Sequence, residues 1–212
     1  AVLVAGFFYF DVPSWQSLDT QRLLSLAQTG SIYDKDGSFV THLVGSENRT
    51  LVALEELPQH VVDAFLAAED LRFYKHPGFD IVRIGGAVIS NLRSGGYAQG
   101  ASTITQQLVK LSHLSSQKTI ARKLEEIWLA LQLEHQFTKE EILEMYLNYI
   151  YFGDGAYGVQ AAAQAVYGVD AKALSPAQAA SLAAAIKAPS AYGITSRPDA
   201  NRERRTYILN VM

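Results

Sequence analysis

The run EDLRFYKHPG, residues 69 to 78, restricts the possible folds more than any other stretch of the chain. Six titratable groups fall in the eight positions from Glu69 to His76. Such a run is hard to bury without partners, and apolar periodicity does not explain it. A solvated helix end leading into a turn would look similar. Its surroundings argue for more. Val61, Val62, Phe65, Leu66 and Ala68 form one apolar face of a helix that starts at Pro58, so Glu69 falls at the tip of a packed helix. After Pro77-Gly78, Asp80 can cap a second helix running to about Arg93, which SGG at 94–96 ends.

The following stretches are helical too. GASTITQQLVK (100–110) reads as a glycine turn, two hydroxyls at an N-cap position, and a helix projecting Gln106, Gln107 and Lys110 from its first turns. Open backbone N–H groups and the helix dipole at such a start attract an anion; a plain capped helix would read the same. In the helix predicted over 117–136, Ile120, Leu124, Ile127 and Leu131 make an apolar stripe, widened by Leu129 and Leu133. Lys118, Arg122 and Lys123 crowd its opening turns. Cations there oppose the dipole, and an Arg122 to Glu126 pair has the weaker i,i+4 orientation, each effect being a few tenths of a kcal/mol. A bound polyanion accounts for the cluster through charge-assisted hydrogen bonds; a surface ion-pair ladder is the alternative.

Thr138 with Glu141, and Ser175-Pro176 with Gln178, are capping boxes that open two further helices. Glu141, Glu144 and Asn148 read as structural polar groups. Upstream, β-formers at 31–33 and 38–44 flank Asp36-Gly37 and predict an antiparallel hairpin, and leucines within 15–28 loosely suggest a short helix.

Composition removes several classes. A net charge of −3 gives no global pull toward nucleic acid, and the absence of cysteine excludes disulfides and thiolate metal sites. The apolar run AVLVAGFFYF at 1–10 is about half the length a bilayer span needs. GDGAYG (153–158) fits a dinucleotide fingerprint but follows a helix without visible parallel strands, so a flexible turn is expected. Ser115 to Lys118 fits S-x-x-K without the accompanying motifs of penicillin-reactive enzymes, so no acylation by this chain is expected.

The first stretch resembles the opening motif of the peptidoglycan glycosyltransferases, which include the class A penicillin-binding proteins. Their E-D-x-x-F-x-x-H-x-G is filled by Glu69, Asp70, Phe73, His76 and Gly78. Their G-x-S-T-I-x-Q-Q-L-x-K-N is matched through Lys110, with Leu111 where asparagine is usual. RKLEE (122–126), the E-I-L-E-x-Y-L-N run of 141–148 with Phe152-Gly153, and Ala188-Pro189, Tyr192 and 198–205 supply three more motifs in order.

The resemblance implies a mainly α fold: a lysozyme-like helical lobe with a smaller membrane-proximal lobe and a short β-hairpin. Residues 1–30 become a membrane-anchor remnant and juxtamembrane segment, and 31–212 the glycosyltransferase domain. The implied reaction polymerises lipid-linked disaccharide-peptide (lipid II) into β-1,4-linked glycan strands with inversion, releasing undecaprenyl pyrophosphate. Glu69 is the expected general base, and Glu126 the second catalytic carboxylate, orienting the cations. Lys110, Lys118, Arg122 and Lys123 are the expected pyrophosphate binders; Asp70 is expected among the substrate-binding residues, and Phe73, His76, Ser102, Thr103, Gln106 and Gln107 are expected to line the sugar subsites, by contact or from behind. No cofactor is required, although Asp70 or Glu126 with the pyrophosphate offers a place for magnesium or manganese. The expected partners are lipid II, the growing strand, the membrane surface and a C-terminal transpeptidase, and the expected location is the extracytoplasmic face of the bacterial cell membrane. Two other readings remain: a lysozyme-like lytic enzyme, and a non-catalytic lipid II-binding module.

Overall fold

The structure is a computed structural model and describes residues 17–24, 31–36, 39–42, 48–94, 102–114, 119–153 and 155–212. The expected anchor at 1–10, most of the juxtamembrane segment, and Lys118 lie outside the described residues.

Helix α1 (Thr20–Leu24) precedes strands β1 (Ser31–Tyr33) and β2 (Phe39–His42). These two strands pair antiparallel, Ser31 opposite His42, as the Asp36-Gly37 turn signal anticipates. β3 (Asn48–Arg49) follows, and from there helices dominate: α2 (Gln59–Glu69), α3 (Ile81–Ser94), α4 (Ile104–His113), α5 (Ile120–Gln136) and α6 (Lys139–Tyr149). β4 (Tyr151–Gly153) and β5 (Ala156–Tyr157) then lead into α7 (Val159–Tyr167), α8 (Pro176–Ile186), α9 (Pro189–Tyr192) and α10 (Pro198–Val211). The fold is mainly α, as expected. Among the described residues, no helix is long and apolar enough to cross a membrane.

Capping chemistry sets the helix starts. Complete capping boxes open α4 (Thr103 with Gln106), α6 (Thr138 with Glu141) and α8 (Ser175 with Gln178). Thr119 alone caps α5, which begins later than the sequence suggests. Asp80 caps α3 by accepting from the N–H groups of Val82 (2.9 Å) and Arg83 (3.1 Å).

Two packed groups of helices position the site. α2 packs against α8 and α10, and α4 packs against α5 and α6. Val61 and Phe65 of α2, Leu108 of α4, Leu129 and Leu133 of α5, Leu143 of α6 and Leu182 of α8 are all wholly buried, each contributing about 1.5–3 kcal/mol of hydrophobic stabilisation. Both groups are therefore held rigidly where they meet, and Glu69 lies at that junction.

The GDGAYG segment corrects an expectation. In place of a flexible turn, β4 and β5 form an antiparallel pair, and β5 also pairs parallel to β3, Asn48 opposite Ala156. Gly158 closes this unit at φ +83°, where a Cβ would stand 2.9 Å from the carbonyl oxygen of Asn148. Only glycine fits both constraints. Asn148 is structural, as expected: its side-chain oxygen accepts from the Val52 N–H (3.0 Å) and its amide donates to the Val52 carbonyl (2.8 Å). Glu144 accepts from the Leu54 N–H (2.7 Å).

Candidate active site

Glu69 is the last residue of α2, and its side chain is 13% exposed. Gln107 of α4 donates from Nε2 to Glu69 Oε2 (2.8 Å). The other oxygen, Oε1, is buried without a hydrogen bond, and the nearest cation is Arg204 of α10 at 3.9 Å. Burial pushes the Glu69 carboxyl above its ordinary value; the Gln107 hydrogen bond and the charges of Arg204, Arg83 and Lys187 pull it only partway back. The result is a carboxylate at a helix tip with a raised affinity for a proton.

Asp70 has a different task. It is 1% exposed. Its Oδ2 meets His76 Nε2 (3.0 Å) and accepts from the backbone N–H of Ile104 (3.1 Å), while Oδ1 faces Arg83 Nη1 at 3.5 Å. This decides between an anion site and a plain capped helix at the start of α4. Asp70 itself supplies negative charge to the start of α4, and Gln106 and Thr103 take further N–H groups there by accepting from the Thr103 and Gln106 amides (3.0 and 3.2 Å). The anion expected at that helix start is thus a side chain of the same chain, which leaves little of it for a bound phosphate. Asp70 also presents no open face to a sugar.

The same holds for Phe73, His76, Thr103 and Gln106, each 7% exposed or less. Phe73 packs edge-on against His76 beneath the Lys139 ammonium, which lies 4.3 Å from the ring centroid. Thr103 donates to the carbonyl of Gly78 (2.5 Å), and at Gly78 (φ +89°) a Cβ would press to 3.0 Å on the Ala130 carbonyl. These residues hold the Glu69–Gly78 loop against α4 and α5, which is the support from behind that the sequence reading allowed. Ser102 and Gln107 retain partial exposure.

Glu126 is 1% exposed and binds both neighbouring cations, Arg122 Nη1 at 3.1 Å and the Lys123 ammonium in a short contact. Lys123 also donates to Ser102 Oγ (3.1 Å), which ties the first turns of α5 to the residues before α4. One carboxylate against two cations leaves this trio a single net positive charge. Lys110 adds another: it is exposed and has no acidic partner among the described residues. Gln107 and Lys110 are three apart on α4 and share a face, while the cations whose charge acts on Glu69 are Arg204, Arg83 and Lys187.

Both carboxylates once suited to a metal are occupied by N–H donors or cations. Among the described residues, no group of three or more acidic, histidine or cysteine side chains gathers. A hydrated magnesium or manganese ion does not fit Asp70 or Glu126 as they stand.

The sequence reading missed Arg204, Lys187 and Arg83. Arg204 and Lys187 face the Tyr192 ring, 5.5 and 6.0 Å from its centroid, and Arg83 donates to the Glu69 carbonyl (2.7 Å). The signal was the basic cluster in RERR, residues 202–205, inside a motif already recognised. A cavity of about 400 Å³ lined by β4, α7, α8 and α9 contains none of the candidate residues.

The chain is similar to known proteins over most of its length. The transglycosylase family model matches residues 36–212. Penicillin-binding protein 1A/1B of Bacillus subtilis is 49% identical over 92% of this chain and 21% of its own length. Penicillin-binding protein 1A of Streptococcus oralis is 44% identical over 100% of this chain and 33% of its own length. The chain thus spans about a fifth to a third of these relatives. A crystal structure of Penicillin-Binding Protein 1A from Haemophilus influenzae aligns at 26% identity and TM-score 0.46, covering 88% of this chain and 18% of that one.

Proposed function

Because the chain belongs to the transglycosylase family, we propose that it polymerises lipid-linked disaccharide-peptide (lipid II) into peptidoglycan glycan strands with Glu69 as the general base. The observation that carries this assignment is the Glu69 carboxyl itself: seated at the tip of α2, held by Gln107 at 2.8 Å with Arg204 3.9 Å away, and pushed above its ordinary value by burial. The Glu69 carboxylate takes the proton of the acceptor's 4-hydroxyl as that oxygen attacks the anomeric carbon of the growing strand. The bond from that carbon to the pyrophosphate breaks, and the pyrophosphate leaves with the electron pair. One displacement inverts the centre. Raising the carboxyl above its ordinary value makes Glu69 a better proton acceptor at working pH.

Lys110 and the Arg122–Lys123–Glu126 trio stabilise the leaving group. Glu126 orients its two cations, and its engagement with both keeps it from a separate acid role. Neutralised pyrophosphate leaves without protonation, so no second free carboxylate is needed. That point weighs against a lytic glycosidase, which uses a pair of carboxyl groups flanking the scissile bond; Asp70 and Glu126 are both committed to internal partners.

Ile81 and Val82 on α3, Leu111 on α4 and Ile120 on α5 are between 48% and 83% exposed. Exposed apolar side chains, two of them next in sequence or nearly so to Lys110 and Arg122, suit a headgroup boundary. They support work at the outer face of the bacterial cell membrane, with this chain as the glycan-polymerising part of a penicillin-binding protein and a transpeptidase as its neighbour. The test is incubation with lipid II in detergent followed by sizing of the products. Glycan strands of several disaccharides support the reading; cleavage of preformed glycan without strand formation supports the lytic one.

A further inference from the structure

The Gln107 carboxamide is held at both ends. Its Nε2 donates to Glu69 Oε2 (2.8 Å), and its Oε1 accepts from the hydroxyl of Tyr146 (3.3 Å). Tyr146 is wholly buried on α6, within the row Ile142, Leu143, Tyr146 and Leu147. Packing that position needs only an aromatic ring, so phenylalanine would fill the core equally well. The hydroxyl costs desolvation and is recovered by its hydrogen bond to Gln107. Burial and the neighbouring charges of Glu69 and Asp70 hold the phenol well above its ordinary value, so it remains protonated and able to donate.

We propose that Tyr146 is a positioning residue for the base: Glu69, which only accepts, selects the N–H end of Gln107, and the Tyr146 hydroxyl, donating to the carbonyl end, holds the side chain in that place. The inference rests on the reading of Glu69 as the base. A carboxamide presents a donor at one end and an acceptor at the other, and its two orientations are nearly equal in shape. Glu69 alone rewards one of them. Without the phenol, the carbonyl oxygen of Gln107 has no partner in an apolar setting, whereas the partly exposed side chain can turn toward water to satisfy it. That movement takes the donor away from Glu69. The fixed distance between α4 and α6, set by their packed core, is what lets a residue outside the reacting set control the carboxylate.

The experiment is a double-mutant cycle with Tyr146→Phe, Gln107→Ala and the pair. It is read by titrating the Glu69 carboxyl carbon by NMR in protein carrying ¹³C-labelled glutamate, assigned with Glu69→Gln. Each single variant should move the Glu69 midpoint upward by about half to one pH unit, the size of one lost hydrogen bond. In the pair, Tyr146→Phe should add no further shift to Gln107→Ala. The acidic limb of kcat/KM for glycan synthesis should move with the midpoint, while KM stays within about twofold. Tyr146→Phe leaving the midpoint in place, or shifting it equally in the Gln107→Ala background, overturns the proposal. The titration does not need turnover, so failure of the wild-type protein to form glycan would reject the proposed function separately from the relay.

Discussion

Asp70→Asn removes one negative charge from the place where three parts of the site are joined. The structure indicates what remains. If the new amide oxygen faces His76 and the Ile104 N–H, those two contacts at 3.0 and 3.1 Å persist as neutral hydrogen bonds, and the NH2 group confronts Arg83, already distant at 3.5 Å. Turned the other way, it leaves the buried Ile104 N–H opposed by another donor, which is worse. In the cheaper orientation each of two bonds falls from a charge-assisted to a neutral value, about 1 kcal/mol apiece. Loss of the carboxylate at the start of α4 adds about 0.5 kcal/mol or more. Arg83 offsets part of its loss, since its guanidinium still reaches the Glu69 carbonyl at 2.7 Å. The expected cost is about 2–3 kcal/mol, or roughly 4–12 °C in Tm for a domain of this size. Urea unfolding followed by circular dichroism reads it directly, with an unchanged m-value confirming that only stability moved. A loss below about 1 kcal/mol would refute the reasoning that Asp70 anchors α4.

Glu69→Gln should stabilise the protein at neutral pH by on the order of 1 kcal/mol, because it removes a buried charge the fold holds at a cost. Since the folded protein raises the Glu69 carboxyl, it binds more protons than the unfolded chain between the ordinary and the raised values, so wild-type stability rises as pH falls through that window. The advantage of the variant should accordingly fade toward acid pH in paired unfolding curves, and an advantage independent of pH would contradict the burial account. Lys110→Ala should lower kcat/KM for glycan synthesis about 10- to 100-fold through the loss of a charge-assisted contact, with unfolding free energy changed by no more than about 0.5 kcal/mol at this exposed position. Gly158→Ala should cost about 2–5 kcal/mol, from a positive φ and a Cβ 2.9 Å from the Asn148 carbonyl, measurable as a drop in the urea midpoint.

What could be read from the sequence was local. Capping boxes at Thr138 and Ser175, the Asp80 cap, the Asp36-Gly37 hairpin and the apolar face leading to Glu69 each lie within a few residues of their partners, so spacing alone reveals them. The β3–β5 pairing joins Asn48 to Ala156 through strands of two residues, too short for any period to show. Thr103 and Gln106 looked like the rim of an open anion site because nothing nearby marks Asp70, 34 positions earlier, as the anion that fills it. At Tyr146 the ring belongs to the core, and where its hydroxyl points depends on a residue 39 positions away. Arg204 lay inside a recognised motif, yet its approach to Glu69 depends on how α10 packs against α2.

The central claim is that the Glu69 carboxylate takes the proton in the bond-forming step. The most direct measurement is glycan synthesis from lipid II by Glu69→Gln beside its affinity for the same substrate, since glutamine keeps the shape and the contact to Gln107 but cannot accept the proton. The account predicts a turnover loss of at least about 100-fold, the lower range for a general base, with binding within a few-fold of wild type. Glycan strands formed by that variant at the wild-type rate would contradict it.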